Sequence, residues 1–146
     1  MIKIANILYA TDFSPYADRV LEHATTMARL YNSKLYMVHV IRNPADKIYG
    51  TLHGDYHALI EGARKKAAEL MARYDDQVKD LPHEAIYKEG DPVYEILRVI
   101  DEKKIDLVVI GSHGEGPLEH LLMGSTCDKV VRSAPCPVLV VRYPRK

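Results

Sequence analysis

Short apolar runs alternate with longer amphipathic stretches along the whole of this chain, and that alternation limits the folds open to it. Residues 4–10, 34–41, 84–89, 105–110 and 137–141 read as strands. The run at 105–110 is almost continuously apolar, as a strand buried on both faces should be. Between these runs, apolar residues recur at helical spacing. Val20, Ala24, Met27, Ala28 and Tyr31 form one stripe, Ala63, Ala67, Leu70, Met71 and Tyr74 a second, and Val93, Ile96, Leu97 and Ile100 a third. Ser14-Pro15 and Asp91-Pro92 read as helix starts, with a capping side chain before a proline at the first helical position. Strand and helix in strict alternation predict βαβ units, a mainly parallel sheet and helices on both of its faces. The charged strand at 84–89 is expected near an edge of that sheet. Ligands of such sheets bind beyond the carboxyl ends of the strands, where the strand order reverses.

One connection stands out against this frame. The strand at 105–110 ends at Gly111-Ser112-His113-Gly114, and a helical segment restarts behind Gly124-Ser125-Thr126. Four of the eight glycines, Gly111, Gly114, Gly116 and Gly124, fall in this one stretch. Glycines cost chain entropy, so their clustering points to positive φ or to a ligand close to the backbone. Bare N–H groups, a pair of hydroxyls and a helix N-terminus suit a phosphate. The loop is not of the Walker type, because no lysine precedes Ser125, and it lacks Gly-x-Gly-x-x-Gly spacing. The bland reading is a flexible surface loop, with Ser125 and Thr126 as helix caps only; capping by itself does not exclude phosphate binding, because both use the same N–H groups. The ends of the first two strands, at Ala10-Thr11-Asp12 and at Val40, are expected to open into the same crevice.

Composition narrows the function classes. The 146 residues carry twenty acidic and twenty basic side chains, a balance that argues against a dedicated nucleic-acid surface. No apolar run approaches the ~20 residues of a membrane helix, and the first ten residues lack a charged leader before an apolar core. A cytoplasmic protein is therefore expected, organised as one domain over residues 1–146. Cys127 and Cys136 have no CxxC partner and read as free thiols in a reducing compartment.

Gly111-x-x-Gly114, nine residues, then Gly124-Ser125 resembles the nucleotide-binding signature of the universal stress protein family. The flanking text is similar as well: residues 6–14 (Asn-Ile-Leu-Tyr-Ala-Thr-Asp-Phe-Ser), His39-Val40, and residues 134–142. The resemblance spans the chain and falls in the branch of the family that keeps these glycines and binds ATP. It implies a Rossmann-like, open five-stranded parallel sheet of order 3-2-1-4-5. It implies ATP, or AMP or ADP, with Asp12 at the nucleoside end beside Ala10 and Thr11 and with Val40 offering backbone groups to the adenine. Gly111, Ser112, His113 and Gly114 would wrap the phosphates, and Gly124, Ser125 and Thr126 would meet them from the helix start. It also implies a homodimer through the last strand, Val138–Val141.

With no lysine to neutralise the phosphates, Mg2+ riding on them is expected. No arginine is placed there by the motif, and no general base is evident, so turnover is expected to be slow or absent. Nucleotide occupancy would then set a conformation. The alternatives are a slow ATP hydrolase or nucleotidyl-transfer enzyme on the same fold, and a dimeric interaction module that binds no nucleotide. Residues 42–55 are expected to form a loop without an evident role. Glu115 and Glu119 are expected to face solvent or approach a metal. His39 and His120 are expected to be structural.

Overall fold

The computed structural model describes residues 1–42, 56–113 and 123–142. Its elements run β1 Asn6–Ala10, α1 Ala17–Tyr31, β2 Lys34–Ile41, α2 Tyr56–Gln77, β3 His83–Glu89, α3 Pro92–Glu102, β4 Leu107–Gly111, α4 Ser125–Ser133 and β5 Val138–Val141. The five strands form one sheet of order β3-β2-β1-β4-β5, and every adjacent pair is parallel. This is the expected Rossmann-like order, with the charged β3 at one edge.

The chain winds outwards from β1 through β2 to β3, then crosses back to β4 on the other side of β1. The order therefore reverses between β1 and β4. Handedness of the crossovers then assigns the helices to faces. α1 and α2 bury Val20, Leu21, Ala24, Met71 and Tyr74 against Ile7, Tyr9, Met37 and Val109. α3 and α4 bury Ile96, Val99, Ile100, Cys127 and Val130 against Leu8, Val38, Val108 and Ile110. Successive strand residues feed opposite cores, which is why β1 and β4 read as unbroken apolar runs rather than alternating ones.

Two helix starts behave differently. Asp91 caps α3 as expected: its Oδ2 accepts the Tyr94 N–H at 2.9 Å, with Pro92 at the first helical position. Ser14-Pro15 does not start α1, which begins two residues later behind Tyr16. Asp12 Oδ1 takes the Ser14 N–H at 2.9 Å, and the Ser14 carbonyl accepts from Ala17 N–H. Ser14 is thus consumed in the turn that leaves β1, and the helix has to wait for the next turn.

The opposite, amino end of the sheet is fastened by residues that no motif singled out. Asp106 Oδ2 accepts the N–H groups of Ala5 and Asn6 at 2.9 and 3.0 Å. The Asn6 amide in turn donates to the carbonyls of Lys103 and Lys104. These bonds set the register between the starts of β1 and β4. Among the described residues, no helix is long and apolar enough to cross a membrane.

Cys127 and Cys136 are both free thiols. Burial of Cys127 on the inner face of α4 pushes its pKa from 9.0 up to about 11, with Asp128 adding to the shift. The folded state therefore holds this proton after the unfolded chain has released it. Stability must fall as pH rises through that window. Urea midpoints measured from pH 8 to 11 should decline from pH 9 upwards, and less steeply in Cys127→Ala. An identical slope in the two proteins contradicts the assignment.

Candidate functional site

The carboxyl ends of β1 and β4 lie side by side where the order reverses, with Ala10 paired to Ile110 and, on its other side, to Val38. The site is built from what leaves these strand ends. After β1 the backbone makes a tight turn. Thr11 N–H donates to the Val38 carbonyl at 3.0 Å, Thr11 Oγ1 accepts from Phe13 N–H at 3.0 Å, and Asp12 holds Ser14 N–H. Phe13 has φ 59°, a left-handed conformation that a bulky residue adopts only when its surroundings compensate. Its ring packs at a tilt against His39 at 4.4 Å and against Tyr74 at 5.7 Å between centroids. Thr11 is buried, whereas Asp12 stands exposed at the crevice.

His39 completes this turn. Its Nδ1 lies 2.9 Å from the Thr11 carbonyl oxygen. A carbonyl can only accept, so Nδ1 carries the proton and the tautomer is fixed. The structural role expected for His39 is thereby specific: it ties the end of β2 to the turn that presents Asp12. Val40 lies next along β2, paired with Lys88 and partly exposed, with its side chain on the α3–α4 side.

The β4 side is organised by Ser112. Its N–H donates to the Val141 carbonyl at 2.8 Å, its carbonyl accepts the Gly124 N–H at 2.6 Å, and its Oγ pairs with His113 Nδ1 at 2.8 Å. Ser112 is fully buried. It closes the base of the glycine connection and joins the end of β4 to the start of α4, while the ring of His113 is half-exposed beside it. Gly111 has a packing reason to lack a side chain. A Cβ there would meet Val20 Cγ2 at 3.2 Å, so the close approach is that of α1. Gly114, Gly116, Glu115, Glu119 and His120 lie outside the described residues, as do residues 43–55.

At α4 the N-cap is Gly124, in extended conformation, and Ser125 and Thr126 are the first two helical residues. They are not the caps that their types suggest. A glycine cap brings no side-chain oxygen of its own to the first N–H groups of the helix, in contrast to Asp91 on α3. The α4 terminus therefore presents its positive dipole end and the exposed Ser125 towards the crevice. Opposite it stands a residue no motif marked. Arg42, one position beyond β2, donates from Nη2 to Thr126 Oγ1 at 3.4 Å. Strand parity was the available signal, since Val38 and Val40 face α3 and α4 and position 42 follows in that phase.

The structure thus gathers Ala10, Thr11, Asp12, Val40, Gly111, Ser112, His113, Gly124, Ser125 and Thr126 at one end of the sheet. Among the described residues, no three His, Cys, Asp or Glu side chains converge as a metal site.

Comparison with known proteins follows the same lines. The model of the family described as "Universal stress protein family" matches residues 3–142. A universal stress protein of Methanocaldococcus jannaschii is 30% identical, over 96% of this chain and 83% of its own length. The solved structure of a further protein of that organism, MJ0577, superposes with a TM-score of 0.88 at 26% identity, covering 99% of this chain and 100% of the other. A universal stress protein solved in complex with cAMP superposes with a TM-score of 0.69 at 23% identity, covering 97% and 98%.

The Phe13–His39 clamp can be tested without any ligand. His39→Ala should lower the unfolding free energy by about 1 kcal/mol or more, from the lost hydrogen bond and ring contact. His39→Asn, whose amide can donate in place of Nδ1, should recover part of that loss in urea titrations. Equal losses in both variants would show that the Nδ1 bond contributes nothing.

Proposed function

This chain belongs to the universal stress protein family, and we propose that it binds an adenine nucleotide, ATP in the first instance, at the crevice between β1 and β4. The observation that carries this reading is the juxtaposition of two chemically different ends. On one side a rigid turn holds the exposed carboxylate of Asp12, suited to ribose or base hydroxyl and amine donors. On the other stands the glycine-capped N-terminus of α4, suited to phosphate. The bond from Gly124 N–H to the Ser112 carbonyl fixes the α4 terminus relative to β4. A universal stress protein of this fold, 23% identical, was solved in complex with cAMP, which supports a nucleotide as the class of ligand.

In this reading Val40 offers its backbone to the adenine and Asp12, beside Ala10 and Thr11, meets the nucleoside. Gly111, His113 and Gly114 surround the phosphates on a base made by Ser112, and Gly124, Ser125 and Thr126 receive them. Mg2+ accompanies the phosphates, taking phosphate and water oxygens as ligands, as this small cation commonly does. Turnover is slow or absent: His113 Nδ1 is engaged with Ser112, and the motif itself fixes neither an arginine nor a general base at the phosphates. The protein then acts as a cytoplasmic, nucleotide-dependent regulator or sensor in stress response. Residues 1–146 form one domain of this family. β5, paired on one side only and partly exposed along Val138–Val140, joins two copies into a homodimer.

Ser125→Asp separates folding from binding. An acidic residue in the first turn of α4 should leave stability unchanged or raise it by about 0.3–1 kcal/mol. The same carboxylate occupies the phosphate position and should weaken ATP binding at least tenfold by titration calorimetry. Unaltered ATP affinity in this variant, or no adenine nucleotide bound by the parent protein, overturns the reading.

A further inference from the structure

Arg42 and Thr126 lie on opposite sides of the crevice. Arg42 follows β2, Thr126 belongs to the helix behind β4, and β1 lies between those two strands. Their contact at 3.4 Å means that the Arg42 side chain reaches across the carboxyl end of β1, over the mouth of the crevice. We propose that Arg42 is the cation that reads the phosphate tail of the nucleotide and makes the site selective for polyphosphorylated nucleotides. This rests on the nucleotide reading above and assigns within it the source of phosphate-number specificity.

Three features support the assignment. The Arg42–Thr126 bond is long, exposed and made to a neutral hydroxyl, so it is readily exchanged. A phosphate oxygen beside Ser125 and Thr126 would be a stronger acceptor for the same guanidinium, because both partners are then ionised and the planar fork can bind two oxygens. The glycine connection supplies no lysine, so the charge of a polyphosphate chain has no protein cation fixed by the motif. Arg42 enters from the far strand and is directed at the α4 terminus. Binding would exchange the Thr126 hydroxyl for phosphate oxygen and leave Arg42 bridging β2 to α4 through the ligand.

The test is titration calorimetry of the full chain with ATP, ADP, AMP and adenosine, for the parent protein, Arg42→Ala and Arg42→Lys. In the parent, affinity should rise with phosphate number. Arg42→Ala should lose roughly tenfold or more for ATP, less for ADP, and little for adenosine, as expected for removal of a charge-assisted bond. Arg42→Lys should recover part of the ATP affinity. Raising NaCl should weaken ATP binding more in the parent than in Arg42→Ala. Equal losses for ATP and adenosine, or ATP affinity unchanged in Arg42→Ala, overturn the inference while leaving nucleotide binding intact. Failure of the parent to bind any of the four removes both readings together.

Discussion

The double pairing of β1 is the constraint on which the rest of this molecule depends. β1 bonds to β2 on one side and to β4 on the other, in register from Ile7 to Ala10. Because the chain first winds away from β1 and then returns to its other flank, the connections leaving β1 and β4 diverge to opposite faces. A parallel sheet cannot fill the gap so made with its own backbone, and the crevice exists for that reason. The hydrogen bonds at the opposite end, from Asp106 to Ala5 and Asn6, hold the same two strands in step. A slip of one residue would exchange the two buried faces of each strand and misplace both halves of the site.

The two rims of the crevice are made rigid by different means. The β1 rim is an accumulation of local bonds around Thr11, Asp12 and Ser14, with Phe13 held in a left-handed conformation by the rings of His39 and Tyr74. The β4 rim depends on one buried serine, whose N–H and carbonyl bond two different elements. In both cases the residues doing the fastening lie beside those that face the crevice. Such fastening holds the described part of each rim in place, and groups held in place before binding cost a ligand less to order.

Much of this was legible in the sequence, for identifiable reasons. Helix and strand periods are local properties, so the described strands and the first three described helices follow from where apolar residues recur, and the helix behind Gly124 from its start signal. The edge position of β3 showed in its charges, and Asp91-Pro92 marked a helix start because a cap acts only on its own next turn. Ser14-Pro15 carried the same signal yet failed: Ser14 belongs to the turn that leaves β1, bonded to Asp12 and Ala17 through its backbone, and the first helical residue is Ala17. Gly111 was expected to allow a positive φ or a ligand close to the backbone, and what the fold sets against it is a side chain of its own core. Its neighbour proves to be Val20 of α1, more than ninety positions away in the chain, which no spacing could reveal.

The sequence by itself determined the element types, the glycine connection with its missing lysine and, through family resemblance, the expected strand order. These depend on residues near one another in the chain, or on motifs whose spacing is itself the information. Only the tertiary structure decided which side chains cross the crevice and which support it. It turned Ser112 inwards as a fastening, and gave His39 a specific partner in the Thr11 carbonyl. It also brought Arg42 to Thr126 across 84 positions of sequence. Such contacts arise from strand order and crossover direction acting together, and a single residue's type records neither.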